Sequence, residues 1–137
     1  MRILVVEDNK VGGKVMVKML SEYGDCDIAD NGEIAIKMYT EALKSKAPYK
    51  LVTLDIMMPL KDGHETLNEI RGIENDDGIS GLSGAKVIMT TALSDKKNIL
   101  QAFREQCEAY ITKPVNKTKL EEELKKFGFG KKTIPKS

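Results

Sequence analysis

A doubly wound α/β fold, five parallel strands with five helices on the two faces, is predicted for this chain by three observations. Short apolar runs recur five times along the sequence, and each leads into an amphipathic stretch at helical spacing. The runs are rich in β-branched residues and end in turn or polar chemistry, as strands buried on both faces do. Such alternation closes through right-handed crossovers, which set helices on both sides of one sheet. No internal repeat competes with this reading. At 137 residues, 41% of them hydrophobic and 31% charged, the chain suits one domain with its own core.

The elements follow in order. Arg2-Ile-Leu-Val-Val6 is a buried strand, and Glu7-Asp8-Asn9 ends it with two acids and a helix-capping asparagine. A helix is expected from about Val11 to Tyr23, apolar at Val11, Val15, Met19 and Leu20. Gly12 and Gly13 weaken its first turn by roughly 1 kcal/mol each relative to alanine, and Gly24 ends it. Asp25 to Asp30 is polar enough for a sheet edge. Asn31-Gly32 turns into a helix from Glu33 to about Ser45, stopped by Ala47-Pro48. Lys50 to Asp55 is the central strand, closed by the loop through Pro59 to Gly63. A helix runs from about His64 to Ile73, and Asn75 to Gly84 reads as an exposed, glycine-punctuated loop. Ala85 to Thr90 is the fourth strand, Ser94 caps a helix to about Gln106, and Ala109 to Thr112 is the fifth strand. Asn116 opens the last helix, apolar at Leu120, Leu124 and Phe127. Residues 1–127 then form the domain, and 128–137 a flexible basic tail.

Composition excludes several functions. Twenty-two basic residues against 21 acidic ones give a net charge of +1, which argues against a nucleic-acid binder held by bulk charge. No apolar run approaches the roughly 18 residues of a membrane span, and no signal-peptide core opens the chain. Cys26 and Cys107 lack metal-type spacing and read as reduced, buried thiols, consistent with a cytoplasmic protein.

In a parallel sheet every strand's carboxyl end lies on one edge, where ligands of open α/β sheets bind. Those ends carry Glu7 and Asp8, Asp55, Thr91 with Ala92, and Lys113. Close carboxylates must take a proton or share a cation, and one lysine does not balance three acids. An all-oxygen, carboxylate-rich site suits Mg²⁺ or Mn²⁺. A carboxylate beside such an ion can attack phosphorus to give an aspartyl phosphate, without a general base.

Val5-Val-Glu-Asp-Asn9, Asp55-x-x-Met-Pro59, Asp62-Gly63, Thr91-Ala92 and Lys113-Pro114 together resemble the receiver domain of two-component response regulators, over about residues 2–127. The resemblance implies a flavodoxin-like, chemotaxis-regulator-like single domain. It also implies that Asp55 takes a phosphoryl group from a sensor histidine kinase or a histidine phosphotransfer protein. Asp8, Asp55 and the Met57 carbonyl would ligate Mg²⁺, with Glu7 helping through water. Lys113 would pair with the phosphoryl group, with Thr91 and Ala92 binding it as well. A cis Lys113–Pro114 bond is implied, and so is a switch in which Thr91 moves toward the phosphate and Tyr110 turns inward. That switch would remodel a face of fourth helix, fifth strand and fifth helix for an output protein, with no nucleic acid and no membrane involved.

Several features depart from the family pattern. Gly12 stands where many such chains carry a second asparagine, Gln106 where a glycine commonly precedes the fifth strand, and the loop 75–84 is long. Met57 and Leu93 flank the phosphoryl position with apolar side chains, which implies slow hydrolysis. Gly13-Lys14 is not a phosphate-binding loop, since Asp8 replaces its first glycine and Val15 its hydroxyl. Asn116-Lys-Thr118 matches the glycosylation pattern, but a cytosolic chain does not meet that machinery. His64, the single histidine, is expected to be solvated rather than to carry a phosphoryl group. The chain reads as a stand-alone receiver, a phosphoacceptor with only its own phosphorylation and dephosphorylation chemistry rather than an enzyme. The alternatives are a pseudo-receiver that binds partners without phosphorylation and a Mg²⁺-dependent phosphohydrolase. Against the latter, Met57 occupies the place of the usual second acid.

Overall fold

The computed structural model describes residues 1–58, 61–79, 83–92 and 96–131, with backbone alone at 96, 98, 99 and 102. Strands β1 (Arg2–Val6), β2 (Asp25–Ala29), β3 (Tyr49–Asp55), β4 (Lys86–Thr91) and β5 (Ala109–Thr112) pair in parallel, in the order β2-β1-β3-β4-β5. Helices α1 (Lys10–Leu20), α2 (Gly32–Lys44), α3 (Gly63–Asp76), α4 (Lys96–Arg104) and α5 (Lys117–Lys126) make the crossovers. The partly polar β2 is an edge strand, as its sequence implies. Pro59, Leu93, Ser94 and residues 132–137 of the expected tail lie outside the described residues.

Period-two alternation divides the core between the faces. Leu4, Val52, Leu54, Val87 and Met89 point to one side, where Tyr39 of α2 and Leu67 and Ile70 of α3 cover them. Ile3, Val5, Leu51, Ile88 and Ile111 point to the other, under Met16 and Leu20 of α1 and Leu120 and Leu124 of α5. Each fully buried Leu or Ile contributes about 1.5–3 kcal/mol against exposure. The helices leave the carboxyl edge through asparagine or aspartate caps. Asn9, Asn31, Asp62 and Asn116 accept from the backbone N–H three residues on, at 2.9–3.1 Å.

Four expectations are corrected. In α1 the inward residues are Gly13, Met16 and Leu20, whereas Val11 and Val15 are 72% and 46% exposed. Reading the apolar positions as a single stripe had turned the helix about one position. Helix α3 runs three residues past Ile73, because Glu74 is buried. Its carboxylate accepts from the Tyr39 hydroxyl, from Arg71 Nη1 at 2.8 Å and from the Ala85 N–H at 2.8 Å. Gly84 makes this possible, since a Cβ there would lie 2.6 Å from Glu74 Oε1. The tail expected from Gly128 is packed through Lys131. Gly128 (φ +84°) and Phe129 donate to the carbonyls of Lys125 and Leu124, a Schellman end to α5. Lys131 pairs with Glu121 and Glu22 at 2.9 and 3.2 Å. Finally, Cys26 is only partly buried, while Cys107 is buried and its thiol is pushed up to about 12 by that burial.

Candidate functional site

Asp55 is the last residue of β3 and is 3% exposed. Strand alternation puts it on the α1/α5 face, two residues beyond Thr53. The Met57 N–H donates to its Oδ1 at 3.1 Å, and Lys113 Nζ donates to Oδ2 at 3.0 Å. The same ammonium donates to both oxygens of Glu7 at 2.9 Å. Glu7 is itself held at the end of β1, its N–H donating to the Ala29 carbonyl at 3.1 Å. Lys113 leaves β5 with its N–H on the Thr91 carbonyl at 2.6 Å, and its peptide bond to Pro114 is cis, as the motif implies. Behind Asp55, the Gly63 N–H donates to the Ile56 carbonyl at 2.9 Å. A Cβ on Gly63 would stand 2.6 Å from the Asp55 carbonyl oxygen, so only glycine lets α3 start this close.

The charges are unequally matched. Burial raises the Asp55 carboxyl to about 6; Lys113 opposes the shift and the neighbouring Glu7 charge adds to it. For Lys113 burial acts downward, yet the hydrogen bonds it donates to Glu7 and Asp55 prevail and the ammonium is held above its ordinary value. Two buried carboxylates share one ammonium. Asp8 adds a third carboxylate on the exposed side, and oxygens of Glu7, Asp8 and Asp55 lie within 4.8 Å of one another. Carboxylates alone, one of them open to solvent, fit a hard divalent ion that keeps part of its water shell.

Thr91 is buried at the end of β4, on the opposite face from Asp55 by alternation, and Ala92 follows it into solvent. Tyr110 is partly buried on that same opposite face, across from Met89. Its ring meets Phe103 of α4 edge-on, with centroids 5.8 Å apart. The sequence had not singled out Phe103, because its spacing in α4 reads as an ordinary amphipathic position. Met57 is 59% exposed.

His64 corrects another expectation: it is buried, not solvated. Its Nδ1 lies 2.7 Å from Glu105 Oε1, and Asn68 donates to the second oxygen of Glu105. The first turn of α3 is thereby tied to the residue that follows α4. His64 Nε2 has no partner among the described residues. His64 and Asn68 share a face of α3 at i,i+4 spacing, but Glu105 reaches them only through tertiary packing, so no sequence spacing signals the full cluster.

A family model for the response regulator receiver domain matches residues 3–125. The chemotaxis protein CheY of Halobacterium salinarum is 31% identical, over 85% of this chain and 87% of that protein. Several other curated relatives are longer, and this chain spans 6% to 46% of them. Two solved structures share the fold. One is a co-crystal of the Saccharomyces cerevisiae histidine phosphotransfer protein Ypd1 with the receiver domain of the response regulator Ssk1 (TM-score 0.79, 23% identity, 93% of this chain and 88% of that one). The other is a CheX–CheY complex from Borrelia burgdorferi with BeF3 and Mg (TM-score 0.78, 24% identity, 92% and 87%).

Proposed function

Because this chain belongs to the response regulator receiver family, we propose that it is a phosphorylation-dependent switch with Asp55 as phosphoacceptor. The observation that carries this is the Lys113 ammonium, 3.0 Å from Asp55 Oδ2 inside a three-carboxylate edge. The donor would be a phosphohistidine on a sensor kinase or a phosphotransfer protein, the class of partner in the Ypd1 co-crystal. An Asp55 oxygen attacks phosphorus, the P–N bond breaks, and its electron pair stays on the imidazole, which then takes a proton from water.

This chain's side chains do the positioning. The Met57 N–H and Lys113 fix the carboxylate on two sides, and Lys113 remains to pair with the phosphoryl oxygens as charge builds on them. Asp8, Asp55 and the Met57 carbonyl would hold Mg²⁺ or Mn²⁺, with Glu7 joining through water. When bound, that ion supplies positive charge opposite the equatorial oxygens. Thr91 would donate its hydroxyl to the phosphoryl group and Ala92 its N–H. Withdrawal of Thr91 from the α3/α4 face opens space for Tyr110 to turn, which changes its contact with Phe103 and so the α4–β5–α5 surface.

Val11 and Val15, exposed beside the acidic edge, give the donor an apolar surface to dock on. No helix among the described residues is long and apolar enough to cross a membrane. Intact-mass spectrometry after incubation with acetyl phosphate, with and without Mg²⁺, tests the proposal. One added phosphoryl group, dependent on Mg²⁺ and absent from Asp55→Asn, is expected. Normal incorporation in Asp55→Asn would overturn the assignment.

A further inference from the structure

On this face helix α1 packs mainly on β1 and β2, and α5 on β5, and a gap lies between them near the carboxyl edge. The result is a cavity of about 460 Å³ floored by Thr53 and Thr90. Its walls are Val15, Met16 and Met19 of α1 and Pro114 and Val115 beyond β5. The size lies within the range of small-ligand pockets, roughly 300–1,000 Å³, and so does the pattern of an apolar body with few polar groups.

One end of the cavity reaches Glu7 and Lys113. A carboxylate offers about four acceptor positions, and Lys113 uses one on each Glu7 oxygen. The approach to Oε1 from the α1 side is left clear by Gly12, whose missing Cβ would sit 3.4 Å from it. This is the position where the sequence departs from the family's asparagine. Glu7 and Lys113 are the charged groups that line this end. Beyond the lining, oxygens of Asp8 and Asp55 lie within 4.8 Å of Glu7, so the adjoining acidic edge exceeds the Lys113 charge by two when all are ionised. We infer that the cavity binds a small apolar molecule carrying one cationic amine, its body between α1 and Val115 and its ammonium on Glu7. Binding does not depend on phosphorylation of Asp55, so this inference stands or falls apart from the receiver reading. An ammonium on Glu7 opposes a divalent cation at the same carboxylates, so each weakens the other's binding by the same factor.

The probe is 2-phenylethylammonium, titrated in Mg²⁺-free buffer into the whole chain carrying ¹³C-methyl methionine. Met16 and Met19 line the cavity, while Met38 and Met89 lie on the opposite face of the sheet and serve as internal controls. Saturable shifts at Met16 and Met19 alone are expected, with at least tenfold weaker binding of neutral ethylbenzene and of phenylacetate. Mg²⁺ should weaken the amine's binding. Gly12→Leu, which keeps the backbone N–H that caps the helix, should lose at least tenfold in affinity and still accept phosphate from acetyl phosphate. No saturable shift at the two methionines would overturn the site. Equal affinity for the neutral or anionic probe, or full affinity in Gly12→Leu, would overturn the role of Glu7.

Discussion

Lys113 Nζ lies 3.0 Å from Asp55 Oδ2, yet Asp55 holds its proton to a higher pH than an ordinary aspartate. Burial and the neighbouring Glu7 charge outweigh the shared ammonium. The folded-state value of about 6 exceeds the unfolded value near 3.9, so the folded chain binds more protons between them. The Asp55 contribution to stability therefore falls as pH rises through that window, and the penalty is complete at pH 7.

Asp55→Asn should remove this penalty. Without Mg²⁺ at pH 7 the variant is expected to be more stable by on the order of 1–3 kcal/mol. The advantage should shrink toward pH 4, where wild-type Asp55 is protonated in both states over much of the population. Urea denaturation at the two pH values checks this, and an advantage that does not change with pH would contradict it.

Lys113→Ala separates chemistry from signalling. Phosphoryl acceptance from acetyl phosphate should persist, because Asp55 and the metal carboxylates remain. The response at Tyr110 should be blunted, because the substitution removes the ammonium that would hold the phosphoryl group to the end of β5, while the backbone bond from residue 113 to the Thr91 carbonyl stays. Tyrosine-selective ¹⁹F NMR reads the Tyr110 line before and after phosphorylation. An unchanged phosphorylation shift in the variant would remove Lys113 from the relay.

Much of this was legible in the sequence. Buried strands announce themselves by short β-branched runs, and a parallel sheet then forces their carboxyl ends, with Glu7, Asp55, Thr91 and Lys113, onto one edge. What escaped was set by tertiary packing. The inward face of α1 was misread because Val11 and Val15 are apolar but exposed, and Gly13 is small but buried. His64 and Glu105 are 41 residues apart, and the pairing of Glu74 with Tyr39 spans 35. No local periodicity encodes such contacts. Buried acids such as Glu74 also run against composition, since an isolated glutamate is usually solvated.

Gln106 holds a left-handed backbone, φ +73°, between α4 and β5. Its N–H donates to the Phe103 carbonyl, and its own carbonyl accepts from Arg71 Nε and Nη2 at 3.1 and 2.7 Å. These bonds belong to the backbone and survive a change of side chain. A left-handed residue with a Cβ costs roughly 1–2 kcal/mol, partly offset by the greater unfolded-state freedom of glycine. Gln106→Gly is therefore expected to stabilise the fold by about 0.5–1 kcal/mol, read as a higher urea midpoint with an unchanged slope. A lower midpoint would mean that the Gln106 side chain makes contacts that matter more than the strain.

Met57 bears on the lifetime of the signal. It stands two residues beyond Asp55, 59% exposed, with its N–H turned to the Asp55 carboxylate and a thioether that cannot orient water. Hydrolysis of the acyl phosphate needs a water aligned with the P–O bond, and a polar side chain near that line lowers the barrier by fixing it. The wild-type phosphoprotein should accordingly persist for minutes or longer after acetyl phosphate is removed. Met57→Glu should shorten its life several-fold, with the same extent of initial phosphorylation. A time course of intact mass after rapid desalting measures both. Loss of the wild-type phosphoryl group within seconds, with no phosphatase added, would show that water is positioned by some other group, and the apolar character of residue 57 would then carry no kinetic meaning.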